Sequence, residues 1–190
     1  MVLPVIAYGH PTLRKVAVEI DQDYPKLQEF IDNMIETMQA SAGIGLAAPQ
    51  VNRSIRLFIV DASPLADEKP ELADFKKVFI NPVIVEETGE DWTYNEGCLS
   101  LPDLREDVTR KAIVRIQYYD EDFNFHDDTY DDMPARIIQH EYDHLEGKLL
   151  IDRISPLRKM LLKRKLTDIS KGKVDVSYKM IFPLLKKKIA

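Results

Sequence analysis

Cysteine is almost absent from this sequence: Cys98 is the only one in 190 residues. No disulfide can form within the chain, which excludes the small cross-linked scaffolds of secreted proteins and makes a reducing cytoplasm the expected compartment. Long apolar runs are missing too. No stretch approaches the ~20 residues that span a bilayer, so no membrane partner is expected. The opening MVLPVIAYGHP lacks a basic n-region and is not rich in Arg or Ser, so it reads as neither a signal peptide nor an organelle presequence. Internal repeats and low-complexity tracts are also lacking.

What is present is ordinary for a globular protein: 45% hydrophobic and 31% charged residues. The length suits one well-buried core rather than two ordinary domains. The net charge of −6 conceals an asymmetry. Eleven Lys or Arg against Asp168 and Asp175 leave Ser155–Ala190 at +9, so the first 154 residues carry −15. A solvated helix face is the plain reading of such a tail, and a docking segment for RNA, such as the ribosome's, is the sharper one. DNA is not an expected partner.

Leu27, Phe30, Ile31, Met34, Ile35 and Met38 recur at helical spacing, with Pro25 in the first turn, Asp23 or Tyr24 near the cap and Gly43 as the stop. The small-residue run GIGLAAPQ (Gly43–Gln50) follows, where backbone must approach something closely. Strands are predicted at Arg56–Asp61, at Val78–Val85 (bent or at an edge because of Pro82) and at Lys111–Asp120, which alternates apolar and polar residues. The acidic stretches Asp120–Asp122 and Asp127–Asp132 read as solvated turn or loop. A second helix runs from about Asp132 to Gly147. A basic one runs from Pro156 to about Lys171, with Leu162, Leu166 and Ile169 as its stripe and Leu157, Met160 and Leu161 pointing elsewhere. Strands and helices without βαβ alternation predict an α+β fold.

The segment His140-Glu141-Tyr142-Asp143-His144 fits H-E-x-x-H. Residues four apart share a helix face, so both imidazoles can reach one metal ion. Glu141, about 100° round the helix, can reach a water on that ion without being a ligand, as a general base must. The apolar neighbours Ile137, Ile138 and Leu145 place this helix against a core. The third ligand follows by elimination. Metzincins continue to a third histidine, and Gly147 is where they need glycine, but Leu150 stands in the ligand's place. Thermolysin-like enzymes use a later glutamate, and neither Glu after Glu146 nor His after His144 occurs. The remaining soft donor is Cys98, 42 residues before His140, in EGCLSLP (Glu96–Pro102). Three protein ligands leave one position open, the mark of a catalytic site. His10 and His126 read as ordinary surface or structural histidines.

With these segments assembled, the chain resembles the peptide deformylases. Three family signatures appear in order: G-x-G-x-A-A-x-Q (Gly43, Gly45, Ala47, Ala48, Gln50), E-G-C-x-S (Glu96, Gly97, Cys98, Ser100) and Q-H-E-x-D-H (Gln139, His140, Glu141, Asp143, His144). The resemblance implies removal of the formyl group from the N-terminal formyl-methionine of nascent polypeptides, releasing formate. It extends to about residue 155, implying a deformylase-like catalytic unit over 1–154. That unit is a single compact α+β domain with antiparallel or mixed sheets around a central H-E-x-x-H helix. Residues 155–190, a basic C-terminal helix and tail, extend the same domain. By similarity the Gln50 amide and the Leu99 backbone N–H stabilise the oxyanion. Ile44, Tyr94 and Ile137 line a methionine pocket, the backbone of Ile44 and Gly45 pairs with an extended substrate, and Arg105 assists the cysteine loop or the peptide. Arg136 departs from the pattern, standing where some relatives have an apolar pocket residue; its aliphatic stem is expected to flank the pocket.

The resemblance points to one divalent ion, natively Fe(II), at a site that also accepts zinc, nickel or cobalt. Two other readings compete. A zinc endopeptidase would cleave internal bonds rather than release formate. A metal-stabilised binding module, such as a ribosome-associated factor, would need a fourth protein ligand, and none is supplied. Removal of Lys171–Ala190 is expected to spare turnover of small peptides.

Overall fold

The alternation at Lys111–Asp120 belongs to a strand that begins at Leu101 and ends at Tyr119. Leu104, Val108, Val114, Ile116 and Tyr118 are buried along it, and so are Glu106 and Arg110. These two charged residues interrupt the apolar pattern, which is why periodicity finds only the second half. The computed structural model describes residues 1–185; Lys186, Lys187 and Lys188 of the basic tail lie outside the described residues. In chain order the elements are β1 (Val5–Ile6), α1 (Leu27–Ala40), β2 (Gly45–Ala47), β3 (Leu57–Asp61), β4 (Lys76–Cys98) and β5 (Leu101–Tyr119). Then come β6 (Phe125–Asp131), α2 (Asp132–Leu145), α3 (Pro156–Leu161), α4 (Lys163–Ser170) and β7 (Met180–Ile181).

Strands β2 to β6 form one antiparallel sheet in sequence order, and β1 pairs with β7 in a separate parallel ribbon. The bend expected at Pro82 is present. β4 pairs with β3 only as far as Ile80, its register with β5 shifts between Ile80 and Val83, and Asn81 has φ 48°. Beyond that point β4 continues to Cys98 with β5 as its partner. The exposed acidic run Glu86–Asp91 hides this half from a hydrophobicity pattern.

Four expectations need correcting. Asp127–Asp131 is strand, not loop: in β6 Asp127 pairs with Arg115, and Asp128 accepts hydrogen bonds from Tyr118 and Tyr130, so acids and not apolar groups anchor this sheet edge. Helix α1 starts two residues after Pro25, capped by Lys26 in a left-handed conformation rather than by Asp23 or Tyr24. Its stop is Ala42 at φ 52°, followed by Gly43 N–H donating to Met38 O. The single basic helix is two, α3 and α4, meeting at Leu162. Its apolar stripe nevertheless stands: Leu162, Leu166 and Ile169 are buried, whereas Leu157, Met160 and Leu161 are exposed.

Helix α2 is buried on almost every side, as its burial pattern from Met133 to Leu145 shows. It packs on β2, β3, β5 and β6. It ends in a Schellman motif: Gly147 (φ 67°) and Lys148 donate to His144 O and Asp143 O. A Cβ on Gly147 would stand 2.8 Å from Arg14 O, so only glycine fits there. On the far side, Leu166 and Ile169 share a core with Ile6, Leu13, Leu101, Leu104 and Val108. The α+β architecture around the H-E-x-x-H helix is as expected. No helix of the described residues is long and apolar enough to cross a membrane.

Candidate metal centre

Cys98 is the last residue of β4, and His140 and His144 stand one turn apart on α2. The fold brings a donor atom from each within 4.8 Å of the others. Cys98 Sγ lies 3.4 Å from His144 Nε2. His140 Nδ1 is 2.8 Å from Glu96 Oε2, which turns its other ring nitrogen toward the cluster. Burial disfavours charge on both imidazoles. It pushes His144 down to about 3, with the neighbouring His140 adding to the effect. At His140 the hydrogen bonds with Cys98 and Glu96 overcome it and raise the pKa.

Glu141 is 4% exposed, and its Oε2 has no hydrogen-bond partner among the described residues. Burial pushes its pKa up to about 7, with the positive charge of His140 opposing. It lies so close to β2 that a Cβ on Gly45 would come within 2.5 Å of Glu141 Oε1, which explains the glycine. Gln50 is buried with its side chain clamped: Oε1 accepts from Ala47 N–H at 2.9 Å, and Nε2 points at Cys98 Sγ (3.5 Å) and Ser100 Oγ (3.4 Å). The donor set of one thiolate and two imidazoles, beside an unpartnered buried carboxylate, fits a divalent transition-metal ion.

A cavity of about 460 Å³ opens beside these groups, lined by Ile44, Gly45, Tyr94, Leu99, Ile137 and Arg105 among others. Every sequence-predicted site residue therefore borders one space or the cluster itself. Arg105 is exposed at its rim, where its Nε donates to Asn95 Oδ1 at 3.0 Å across the hairpin. His10 and His126 stay outside, as expected: His10 Nδ1 accepts from Thr12 N–H, and His126 bonds Asp120 and stacks on Tyr118.

Beneath the cluster is a buried ionic network that the sequence reading missed. Glu96 accepts from Arg110 Nε (2.7 Å) and Nη2 (3.0 Å), and from Arg136 Nη1 (2.9 Å). Arg110 Nη1 also reaches Asp143 Oδ2 at 2.8 Å, and Arg153 Nε meets the same oxygen at 3.0 Å. Arg136 does more than flank the pocket with its stem. Its guanidinium turns inward to Glu96, Val108 O and Trp92 O and lies 4.7 Å from the Trp92 ring centroid. Glu96 and Asp143 stood in the recognised motifs, but nothing local marked Arg110 as their partner. Tyr178, also on the cavity wall, carried no sequence signal.

Comparison with known proteins identifies the family. The family model described as polypeptide deformylase matches residues 2–160. A peptide deformylase of Christiangramia forsetii is 55% identical over 98% of this chain and 99% of its own, and one from Cytophaga hutchinsonii is 50% identical over 98% and 100%. The crystal structure of a peptide deformylase from Legionella pneumophila superposes with a TM-score of 0.79 at 33% identity, covering 91% of this chain and 98% of that one. The chain therefore belongs to the polypeptide deformylase family, metal-dependent hydrolases that remove the N-formyl group from nascent polypeptides.

Proposed function

We propose that Cys98, His140 and His144 hold the catalytic ion and that Glu141 is the general base and acid of deformylation. The convergence of the three donor atoms beside the unpartnered Glu141 carboxylate carries this reading. When bound, the ion supplies Lewis acidity and brings the pKa of water toward neutrality. Glu141 accepts the proton of the attacking water and returns it to the leaving amine, a role suited to a carboxylate raised to about 7 by burial. The Gln50 amide, fixed by Ala47, and the Leu99 N–H, directly after Cys98, meet the developing oxyanion.

Substrate methionine enters the cavity between Ile44, Tyr94 and Ile137, while the peptide runs along Ile44–Gly45. Among the described residues β2 has β3 as its one strand partner, and with Ala47 N–H held by Gln50 it is the edge at Ile44–Gly45 that is left for strand-like pairing. Arg105 steadies the hairpin beside the cysteine. Residues 1–154 act as the catalytic unit with 155–190 as its extension, in the cytoplasm, and the basic segment contacts the ribosome.

The native ion in this reading is Fe(II), which Cys98, His140 and His144 would hold and which would supply Lewis acidity toward the formyl group. Stripped protein reloaded anaerobically with iron, nickel, cobalt or zinc tests it through formate release from a formyl-Met peptide. Iron protein should be fastest and lose activity to peroxide, nickel protein active and stable, zinc protein stable and slow. Zinc protein outpacing a peroxide-resistant iron form would overturn the iron assignment.

A further inference from the structure

Leu99 and Ser100 alone connect β4 to β5, with Cys98 paired to Leu101 across them. Two-residue hairpin loops favour turns with positive φ, because those match the twist of the strands. Neither Leu99 nor Ser100 has positive φ, so this turn is held from outside. Ser100 O accepts from Tyr8 N–H at 2.9 Å, and Ser100 Oγ meets Gln50 Nε2. Leu99 O accepts from the Tyr178 hydroxyl at 2.8 Å. Burial pushes the Tyr178 pKa up, so the phenol stays a donor at neutral pH.

Tyr178 lies well past residue 160, where the match to the family model stops. A strap anchors it: two residues on, Met180 pairs with Val5, where Val5 N–H donates to Lys179 O and Ala7 N–H to Ile181 O, both at 2.9 Å. β1 then runs directly into Tyr8, the other tether of the same turn. Two of the three ties on the cysteine turn, those to its backbone carbonyls, thus come from one ribbon.

We propose that Tyr178 is a positioning residue for deformylation, its hydroxyl fixing the Leu99–Ser100 peptide plane and hence the aim of the Leu99 N–H. This rests on the assignment of that N–H to the oxyanion. Cys98 restrains the preceding peptide plane, and Tyr178 restrains the following one. Donors of this kind act over a few tenths of an ångström, so a loosened turn weakens the transition state more than the bound substrate. Removing Lys171–Ala190, expected from sequence to spare small-peptide turnover, takes this tie away as well.

Tyr178→Phe keeps the ring and deletes only the donor. In the metal-loaded enzyme it should lower kcat by roughly tenfold, since complete loss of an oxyanion donor costs about 10²–10³. KM should change by less than about twofold, because the substrate contacts remain. Metal content and melting temperature should match the parent, and amide hydrogen exchange at Leu99 and Ser100 should quicken. Unchanged kcat overturns the proposal, and the exchange data say which part failed. Unchanged exchange means Tyr178 does not hold the turn. Faster exchange with intact kcat means the turn is held but the Leu99 N–H does not serve the reaction. A kcat loss matched by metal loss also overturns it.

Discussion

Glu141 differs from His140 and Asp143 on α2 in what surrounds it. His140 has Glu96 on its second nitrogen, and Asp143 has two arginines, whereas Glu141 Oε2 has no partner among the described residues. Glu141→Ala should therefore leave the metal bound and the fold intact while turnover falls by ~10²–10⁴. Formate release and metal content on the same sample check this, and activity within a few-fold of the parent would remove its role as base. The cluster was legible in the sequence because helical spacing alone places His140, Glu141 and His144 together, and elimination of other donors added Cys98. The reason for Gly45 was not legible. Glycine is needed there because Glu141, 96 residues away, fills the space a Cβ would take, and one sequence shows no such distance.

The secondary elements were legible wherever burial was apolar and one-sided. Helix α1, β3 and the outer half of β5 follow their stripes, whereas β6 and the middle of β4 carry acids and do not. The same blind spot covers the network under α2, where Arg110 bridges Glu96 on β4 to Asp143 on α2. All three side chains are at most 4% exposed. Arg110→Leu leaves two buried carboxylates short of a counter-charge. Breaking a buried pair from one side costs about 3–5 kcal/mol, and urea unfolding should show a loss of that size. A loss under about 1 kcal/mol would mean that Arg136 and Arg153 suffice alone.

For the molecule as a whole, charge sets both its acid limit and its outer face. Asp152 follows α2 and is pushed down to about 2; burial opposes this, but Arg14, Lys159 and the Leu149 N–H outweigh it. A depressed carboxylate contributes stability above its unfolded value of ~4 and loses it as pH falls toward the folded one. Asp152→Asn should thus flatten the drop in melting temperature between about pH 4 and pH 2, and an unaltered slope would exclude Asp152 as a source of acid lability. The cations of the basic segment divide along the same lines. Lys163 and Arg164 are exposed on α4, while Lys165 is tied to Asp103 O and Arg158 to Glu106. Reversing Lys163 and Arg164 to Glu should weaken ribosome co-sedimentation at low salt without touching small-peptide turnover. Unchanged co-sedimentation returns this face to plain solvation.

The β1–β7 ribbon joins residues near 5 and 180 through two residue pairs. The folded chain between them already holds its ends close, so the clasp rests on backbone hydrogen bonds of about 1 kcal/mol each and on the packing of its side chains. Val5, Ile6 and Ala7 are fully buried, whereas Met180 is half-buried and Ile181 exposed, so it is the β7 side of the clasp that comes away first. When it opens, the cysteine turn loses its ties to Tyr8 and Tyr178 and keeps only Gln50, while Cys98, His140 and His144 stay on β4 and α2. Heat should then silence the enzyme several degrees below the temperature at which its helices melt, reversibly and with the metal still in place.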